Sequence, residues 1–179
     1  MLEKTRFLIP VIGVLMTLLF VGMITTASLA QLKEHNQQQG FITADQRLRD
    51  LDCLALNIYR EAGYEPFEGK VGVAQVTLNR AESGKFPGSV CQVVYQKNVI
   101  YQKVICQFSW YCDQVHRSRP INPEAYAESM VVAKKVLLEG FRLPSLENAM
   151  YYHADYVNPG WRLPKITKIG RHIFYGESS

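Results

Sequence analysis

Several motifs that define common enzyme and nucleic-acid-binding classes are absent from this chain of 179 residues. It has no P-loop, no glycine-rich dinucleotide-binding motif and no Gly-x-Ser-x-Gly elbow, which argues against nucleotide-dependent enzymes and serine hydrolases of those types. It also has no run of five basic residues, and its 20 Lys and Arg against 16 Asp and Glu give a net charge of only +4. We therefore expect no nucleic-acid partner and at most attraction to an anionic polymer or surface.

Charge is also absent from the beginning of the chain. Residues 7–30 are 24 consecutive uncharged positions that follow Lys4 and Arg6 and end in the small-residue sequence Ala27-Ser-Leu-Ala30. This pattern predicts a signal peptide, but its apolar stretch of 18 residues approaches the ~20 that a membrane helix needs. A cleaved signal peptide and a retained N-terminal membrane anchor therefore both stay open for residues 1–30. Either one predicts an exported protein of the periplasm or cell envelope, anchored to the inner membrane if the segment is retained.

The rest of the chain predicts a linker followed by one domain. Residues 31–44 are polar and rich in Gln, which is typical of a tether. Residues 45–179 are enough to bury one self-sufficient core. We expect this domain to act as a monomer.

Helical periodicity dominates the domain, and strand patterns come late in it. The predicted helices are one from Asp45 that Gly63 ends, one over Gly69–Arg80 with a strand as the alternative, a short one after Ser89, and one from Asn122 to Gly140. Residues 97–121 lack periodicity and predict a loop. Strand patterns cover residues 149–153 and a hairpin over 166–169 and 172–175. The fold class that follows is α+β and mostly α, in a single domain with a small C-terminal β-hairpin.

The four cysteines all follow the predicted export segment, and no two of them form a C-x-x-C motif. Their spacing fits no zinc finger or ribbon. An even number outside the cytoplasm favours disulfides, with three possible connectivities. We favour Cys53–Cys91 and Cys106–Cys112, and free buried thiols are the alternative.

Glu61 is the candidate for acid catalysis. It falls in the last turn of the first predicted helix, along the apolar stripe that includes Leu54 and Ile58. The negative end of the helix dipole disfavours a carboxylate there and would raise its pKa, which suits a general acid near neutral pH. The alternative is a capping or salt-bridged glutamate, paired for instance with Arg60 or Arg80.

Two aromatic segments could shape a substrate cleft. The first lies between Cys106 and Cys112, and its alternating aromatic and polar side chains could present flat faces for sugar rings and hydroxyl partners. The second combines the predicted strand around residue 152 with the C-terminal hairpin. The alternative is that these aromatic side chains simply fill the core. The substrate-binding candidates are Phe108, Ser109, Trp110, Tyr152, His153 and His172. A zinc site at the two histidines is an alternative that no metal-binding motif supports, so we expect no metal and no cofactor.

Several of these motifs, in the same order, resemble the SleB-like cell wall hydrolases of the spore-cortex-lytic type. The resemblance covers about residues 51–176, and a set of ordered motifs is more specific than any one of them. The matching segments are Cys53–Ala55, Ile58–Pro66, Glu68–Val76, Leu78–Arg80, Phe86-Pro87, Ser89–Tyr95, Cys106–Trp110, Tyr152-His153, Pro159–Trp161 and Ile169–Tyr175.

The resemblance implies a lysozyme-like fold, related to lytic transglycosylases, that cleaves the MurNAc–GlcNAc glycan of peptidoglycan. The catalytic glutamate of the family lies in a Glu-Ala-Arg-Gly-Glu-Pro motif and maps by position to Glu61. This chain reads Glu61-Ala-Gly-Tyr-Glu65-Pro66 instead, which puts any role of the missing Arg in doubt. The expected activity is that of a lytic transglycosylase, with an N-acetylmuramoyl-L-alanine amidase or a non-catalytic peptidoglycan-binding module as alternatives.

Overall fold

The computed structural model describes residues 43–177 of the chain, and from Ala44 onwards they form one compact unit. The predicted signal peptide or anchor, and the predicted linker except for its last two residues, lie outside the described residues. Within residues 43–177, no helix is both long enough and apolar enough to cross a membrane.

Three helices build the core. They are α1 (Ala44–Ala62), α2 (Phe67–Glu82) and α6 (Pro123–Leu137), and the short α3 (Val90–Val94) packs against the first two. Helix α2 is central, because nearly all of its side chains from Gly69 to Leu78 are buried. This burial explains why its sequence has no clear polar face and why a strand was the alternative. The helical prediction for this segment is confirmed.

The helix ends follow local capping chemistry. The Ser89 side chain accepts a hydrogen bond from the Gln92 N–H and starts α3. Asn122 accepts one from Ala125 N–H and starts α6, with Pro123 in its first turn. Helix α6 ends at Leu137, before the predicted Gly140. Leu48, on the predicted apolar stripe of α1, is exposed because the core begins one turn later, at Leu51.

Segment 97–121 is not the irregular loop that the sequence predicts. It contains an antiparallel hairpin of β1 (Lys97–Ile100) and β2 (Lys103–Cys106), then two short helices, α4 (Ser109–Cys112) and α5 (Gln114–Ser118). The turn residues Tyr101 and Gln102 have φ angles of 49° and 63°. Glycine or asparagine usually occupies such positions, so the sequence carried no recognisable turn signal.

The C-terminal part forms a three-stranded antiparallel sheet after a 3-10 turn at Pro144–Leu146. Its strands are β3 (Tyr151–Ala154), β4 (Lys165–Ile169) and β5 (His172–Tyr175), in the order β3-β5-β4. The predicted hairpin about Gly170 and Arg171 is confirmed, and β3 pairs with its inner strand. The α+β, mostly helical fold class is therefore confirmed.

Two disulfides, Cys53–Cys91 and Cys106–Cys112, fasten the fold. They are the predicted pairing. The first joins α1 to α3, and the second closes the short segment between β2 and the end of α4.

The sheet docks on α2 at a glycine. A Cβ atom on Gly72 would lie 2.5 Å from Cζ of Phe174, the fully buried residue of β5. The lack of a side chain at Gly72 is what allows this close packing. The approach of β5 to α2 brings the sheet over the end of α1, where Glu61 lies.

Candidate active site

All seven predicted site residues line one cavity of about 790 Å³. The ends of α1 and α2, the β1–β2 hairpin, the segment from Cys106 to Trp110 and the C-terminal sheet form its walls. The predicted residues among its lining are Glu61, Phe108, Ser109, Trp110, Tyr152, His153 and His172. The cavity thus brings together residues that are far apart in sequence, up to the 111 positions that separate Glu61 from His172.

Glu61 lies in the last turn of α1, as predicted, and part of its side chain is exposed to the cavity. Its Oε2 accepts a hydrogen bond of 3.1 Å from the Tyr152 hydroxyl. No hydrogen bond to Oε1 is found within residues 43–177, which leaves this oxygen available to a substrate. Among the described residues that line the cavity, Glu61 is the only carboxylate.

Burial of its carboxyl group is the main cause that raises the pKa of Glu61. The hydrogen bond from Tyr152 and the charges of Arg80 and His116 act in the opposite direction and lower that pKa. The raised pKa agrees with the sequence prediction, although burial rather than the end of the helix is its largest cause. A carboxyl group of this kind can hold a proton at a pH where an exposed glutamate has lost it.

Tyr152 holds the acid in place. Its ring packs edge-on against His172, with centroids 5.0 Å apart, and against Phe174 at 5.7 Å. Burial, together with the neighbouring Glu61, raises the pKa of the Tyr152 hydroxyl well above its usual range. The hydroxyl therefore stays protonated and donates to Glu61. We infer that Tyr152 acts as a positioning group more than as a surface for sugar rings.

The salt-bridged alternative for Glu61 does not match the geometry. The Arg60 guanidinium donates instead to the backbone carbonyls of His116, Arg117 and Arg119, and so fastens α1 to α5. Within residues 43–177 neither Arg60 nor Arg80 forms an ion pair with Glu61.

The other carboxylates near Glu61 in sequence have different partners. Glu65 Oε2 accepts the backbone N–H of Arg171 at 2.9 Å, and so fastens the β4–β5 turn. Glu68 is exposed in the first turn of α2. Asp113 caps α5 and contacts the ring of His116. None of these three carboxylates lines the cavity.

Phe108 and Trp110 form the floor of the cavity. Trp110 is only 5% exposed, and its indole N–H donates to Asn57 Oδ1 on α1 at 2.9 Å. Both rings belong to the hydrophobic core, so the core alternative describes their packing even though their edges face the cavity. Ser109 lies between them and is exposed.

An aromatic wall defined by Tyr151, His153 and Trp161 also lines the cavity. Trp161 is 42% exposed and packs edge-on against both other rings, at 6.0 and 5.6 Å. The His153 ring stacks on Tyr175, and its two nitrogens lie 2.8 Å from Ala154 O and 2.9 Å from the Tyr175 hydroxyl. Both nitrogens of His153 are thus engaged by the protein.

His172 lies behind Tyr152 and is 5% exposed. Burial is the main cause that lowers the pKa of His172, so the imidazole stays neutral near neutral pH. Its Nδ1 is buried without a hydrogen-bond partner. No group of three or more His, Cys, Asp or Glu close enough to hold a metal ion occurs in the described part of the chain.

Sequence reasoning missed one wall of this site and the position of one charge in its lining. The wall is formed by Asn98, Ile100 and Ile105 of the β1–β2 hairpin, and the charge is that of Arg80. The adjacent β-branched pairs Val99-Ile100 and Val104-Ile105 were a usable strand signal. The sequence offered Arg80 only as a possible salt-bridge partner of Glu61, because its burial results from contacts made by distant segments.

Comparisons with known proteins agree with this site and fold. The sequence matches the family described as Cell Wall Hydrolase over residues 64–175, a range that begins just after Glu61. It is 32% identical over 143 residues to the spore cortex-lytic enzyme of Bacillus subtilis (strain 168), which covers 78% of this chain and 40% of that protein. It is 30% identical over 129 residues to the spore cortex-lytic enzyme of Oceanobacillus iheyensis, with 70% and 41% covered. The chain therefore spans less than half the length of these relatives.

Two solved structures are similar to the fold. One is the catalytic domain of the Bacillus cereus SleB protein, with a TM-score of 0.51 and 28% identity over 70% of this chain and 88% of that one. The other is the catalytic domain of the germination-specific lytic transglycosylase SleB from Bacillus anthracis, with a TM-score of 0.51 and 29% identity over 70% and 93%. They confirm the lysozyme-like fold that the sequence motifs imply. The chain belongs to the cell wall hydrolase family.

Proposed function

We propose that this protein is a lytic transglycosylase that cleaves the MurNAc–GlcNAc glycan strand of peptidoglycan, with Glu61 as its catalytic residue. One observation carries the proposal: a single, largely desolvated carboxyl group with a raised pKa lines a cavity that has no second carboxylate among its described residues. Inverting hydrolysis would use a second carboxylate, about 6.5–9.5 Å from the first, to activate water. Transglycosylation needs only one acid.

In the proposed reaction Glu61 first donates its proton to the glycosidic oxygen as the bond from this oxygen to C1 of MurNAc breaks. The resulting carboxylate then takes the proton of the C6 hydroxyl of the same sugar while O6 bonds to C1. The products are a 1,6-anhydro-MurNAc end and a free hydroxyl on the departing sugar. No water is consumed, and Glu61 regains its proton. The desolvated setting of Glu61 supports both halves of this cycle.

The walls of the cavity suit a glycan. Trp161 offers a partly exposed ring face, and Ser109 offers a hydroxyl. Phe108 and Trp110 form the floor, while Tyr152 and His172 fix the acid from behind. In this proposal Phe108, Ser109, Trp110 and His153 shape the substrate cleft.

The polymer also defines where the protein works. Peptidoglycan lies outside the cytoplasm, and the two disulfides fit an oxidising compartment. We propose that residues 1–30 export the domain and either are cleaved or remain as an inner-membrane anchor. Residues 31–44 are then the tether, and residues 45–179 are the hydrolase domain. In this proposal the protein acts as a monomer without a cofactor.

A second candidate is ordinary hydrolysis, and His116 is the observation that favours it. His116 lines the cavity, and its Nδ1 lies 2.6 Å from Asp113 Oδ2. A carboxylate in this position can orient an imidazole so that its other nitrogen accepts a proton from water.

Digestion of purified peptidoglycan followed by mass spectrometry separates these functions. A transglycosylase leaves 1,6-anhydro-MurNAc ends, which are lighter by one water and resist borohydride. Reducing ends would show hydrolysis, and free N-terminal L-alanine would show an amidase. Binding to peptidoglycan with no new ends would show a binding module. Glu61→Gln is the matched control, because it must lose the anhydro product.

A further inference from the structure

Arg80 is a buried cation in the wall of the cavity. It lies in the last turn of α2 and is only 4% exposed. Its guanidinium carbon is 5.4 Å from the ring centroid of Phe86, 5.3 Å from that of Phe108 and 5.8 Å from that of Tyr151. Its Nε donates to the Met150 carbonyl at 2.8 Å. These contacts fix the group between α2 and β3.

The cation has no counter-ion in direct contact. No ion pair of residues 43–177 includes Arg80, and its Nη1 is buried without a hydrogen-bond partner. A buried charge is unfavourable unless something compensates it. Three aromatic rings supply part of this compensation. Burial lowers the pKa of Arg80, yet a guanidinium keeps its charge at neutral pH.

The groups that act on the Glu61 carboxyl come from three other elements. Arg80 lies on α2, Tyr152 on β3 and His116 on α5. On its own helix, Arg60 is committed to the backbone carbonyls of α5 and the residue after it. Of the three groups from other elements, only Arg80 carries a permanent charge.

We propose that Arg80 is a positioning residue whose fixed positive charge stabilises the Glu61 carboxylate that forms after the acid has given up its proton. The proposal rests on the proposed function of Glu61, and it names the group that lets this residue alternate between acid and base. A direct ion pair would favour the carboxylate so strongly that no proton would remain to be donated. A charge held by aromatic rings, without direct contact, stabilises the carboxylate while the protonated acid still exists.

The direct test is the titration of the Glu61 carboxyl carbon by ¹³C NMR in the full chain, with Glu61→Gln to assign the signal. In Arg80→Met and Arg80→Gln the pKa of Glu61 should rise by about 1 unit, because the nearby positive charge is gone. In Arg80→Lys it should stay near the native value. Arg142→Met is the matched control, since this arginine also binds backbone carbonyls but does not line the cavity.

The pH dependence of activity should shift in the same direction as the pKa of Glu61. The alkaline limb of the pH profile of kcat/KM should move to higher pH in the two neutral variants and stay in place in Arg80→Lys. A merely structural role would lower the rate without moving the limb. The proposal would be overturned if the pKa of Glu61 were the same as in the native protein in a folded Arg80→Met or Arg80→Gln variant.

If both neutral variants fail to fold, Arg80→Lys decides the question. It keeps the charge and loses the planar stacking, so a rise of about 1 unit in the pKa of Glu61 there would contradict a role for charge. The NMR titration does not depend on turnover. Failure of the proposed function would appear instead as absence of new glycan ends from the native protein, with the coupling between Arg80 and Glu61 still measurable.

Discussion

The replacement Glu61→Gln separates the proposed catalytic role of this residue from its effect on stability. Glutamine has nearly the same shape, and its amide oxygen can still accept the hydrogen bond from Tyr152 that Oε2 accepts in the native protein. It has no proton to donate at neutral pH. Loss of a general acid lowers turnover by about 10²–10⁴-fold, which corresponds to roughly 3–5 kcal/mol of activation free energy.

The same replacement should raise the free energy of unfolding, although it lowers turnover. Burial raises the pKa of Glu61 above 4.5, its value in the unfolded chain. The native state therefore holds this proton to higher pH than the unfolded state, and stability is lost as pH rises through that interval. Each unit by which the native pKa exceeds the unfolded pKa destabilises the protein by about 1.4 kcal/mol at high pH. The neutral glutamine escapes this penalty.

Two assays check the prediction. Release of soluble fragments from peptidoglycan measures turnover, and thermal unfolding at a series of pH values measures stability. The stability gain of Glu61→Gln should be small below pH 4.5 and should grow as pH rises. Glu68→Gln is the matched control, because Glu68 is exposed and does not line the cavity. A turnover close to that of the native protein would remove Glu61 from the mechanism, and a gain independent of pH would refute the raised pKa.

Three further replacements test the surroundings of the acid. Tyr152→Phe removes the hydrogen bond that lowers the pKa of Glu61. The alkaline limb of the pH profile of kcat/KM should therefore move to higher pH, and turnover should fall by about 10-fold or more. An unchanged pH profile would contradict this prediction. Cys112→Ser breaks the disulfide of a short loop, whose closure stabilises the fold by about 2 kcal/mol, against about 4 kcal/mol for Cys53–Cys91. Glycan binding, measured by sedimentation with peptidoglycan, should therefore decrease more than Tm. Free thiols in protein taken from the native envelope would refute the pairing. Because burial lowers the pKa of His172, unfolding measured against pH should show stability falling below about pH 6.5, and His172→Gln should remove that loss.

The elements that could be predicted from the sequence are those that local chemistry determines. Ser89 and Asn122 cap their helices through their own side chains. The Gly170 turn has a φ of 56°, which suits glycine, and the hairpin around it was predicted with nearly its observed bounds. The candidate acid could be predicted because its place on the apolar stripe of α1 was visible in the spacing.

The features that escaped prediction depend on contacts between distant segments. The β1–β2 turn uses Tyr101 and Gln102 at positive φ, so its sequence lacks the usual turn residues. Arg80 forms no direct ion pair among the described residues and instead contacts the rings of Phe86, Phe108 and Tyr151, which come from three separate parts of the chain. Helical periodicity alone also placed Leu48 on the buried face of α1, although its side chain is 61% exposed.

The position of Glu61 depends on packing that begins at a glycine of α2. Gly72 admits Phe174 against α2, because a Cβ atom there would lie 2.5 Å from the ring. Phe174 supports the ring of Tyr152, and the Tyr152 hydroxyl holds Glu61 Oε2. A buried carboxyl group that lacked such a donor would be free to rotate within the cavity. The close contact between α2 and β5 therefore helps to set the direction of the Glu61 side chain, and this contact lies outside the cavity itself.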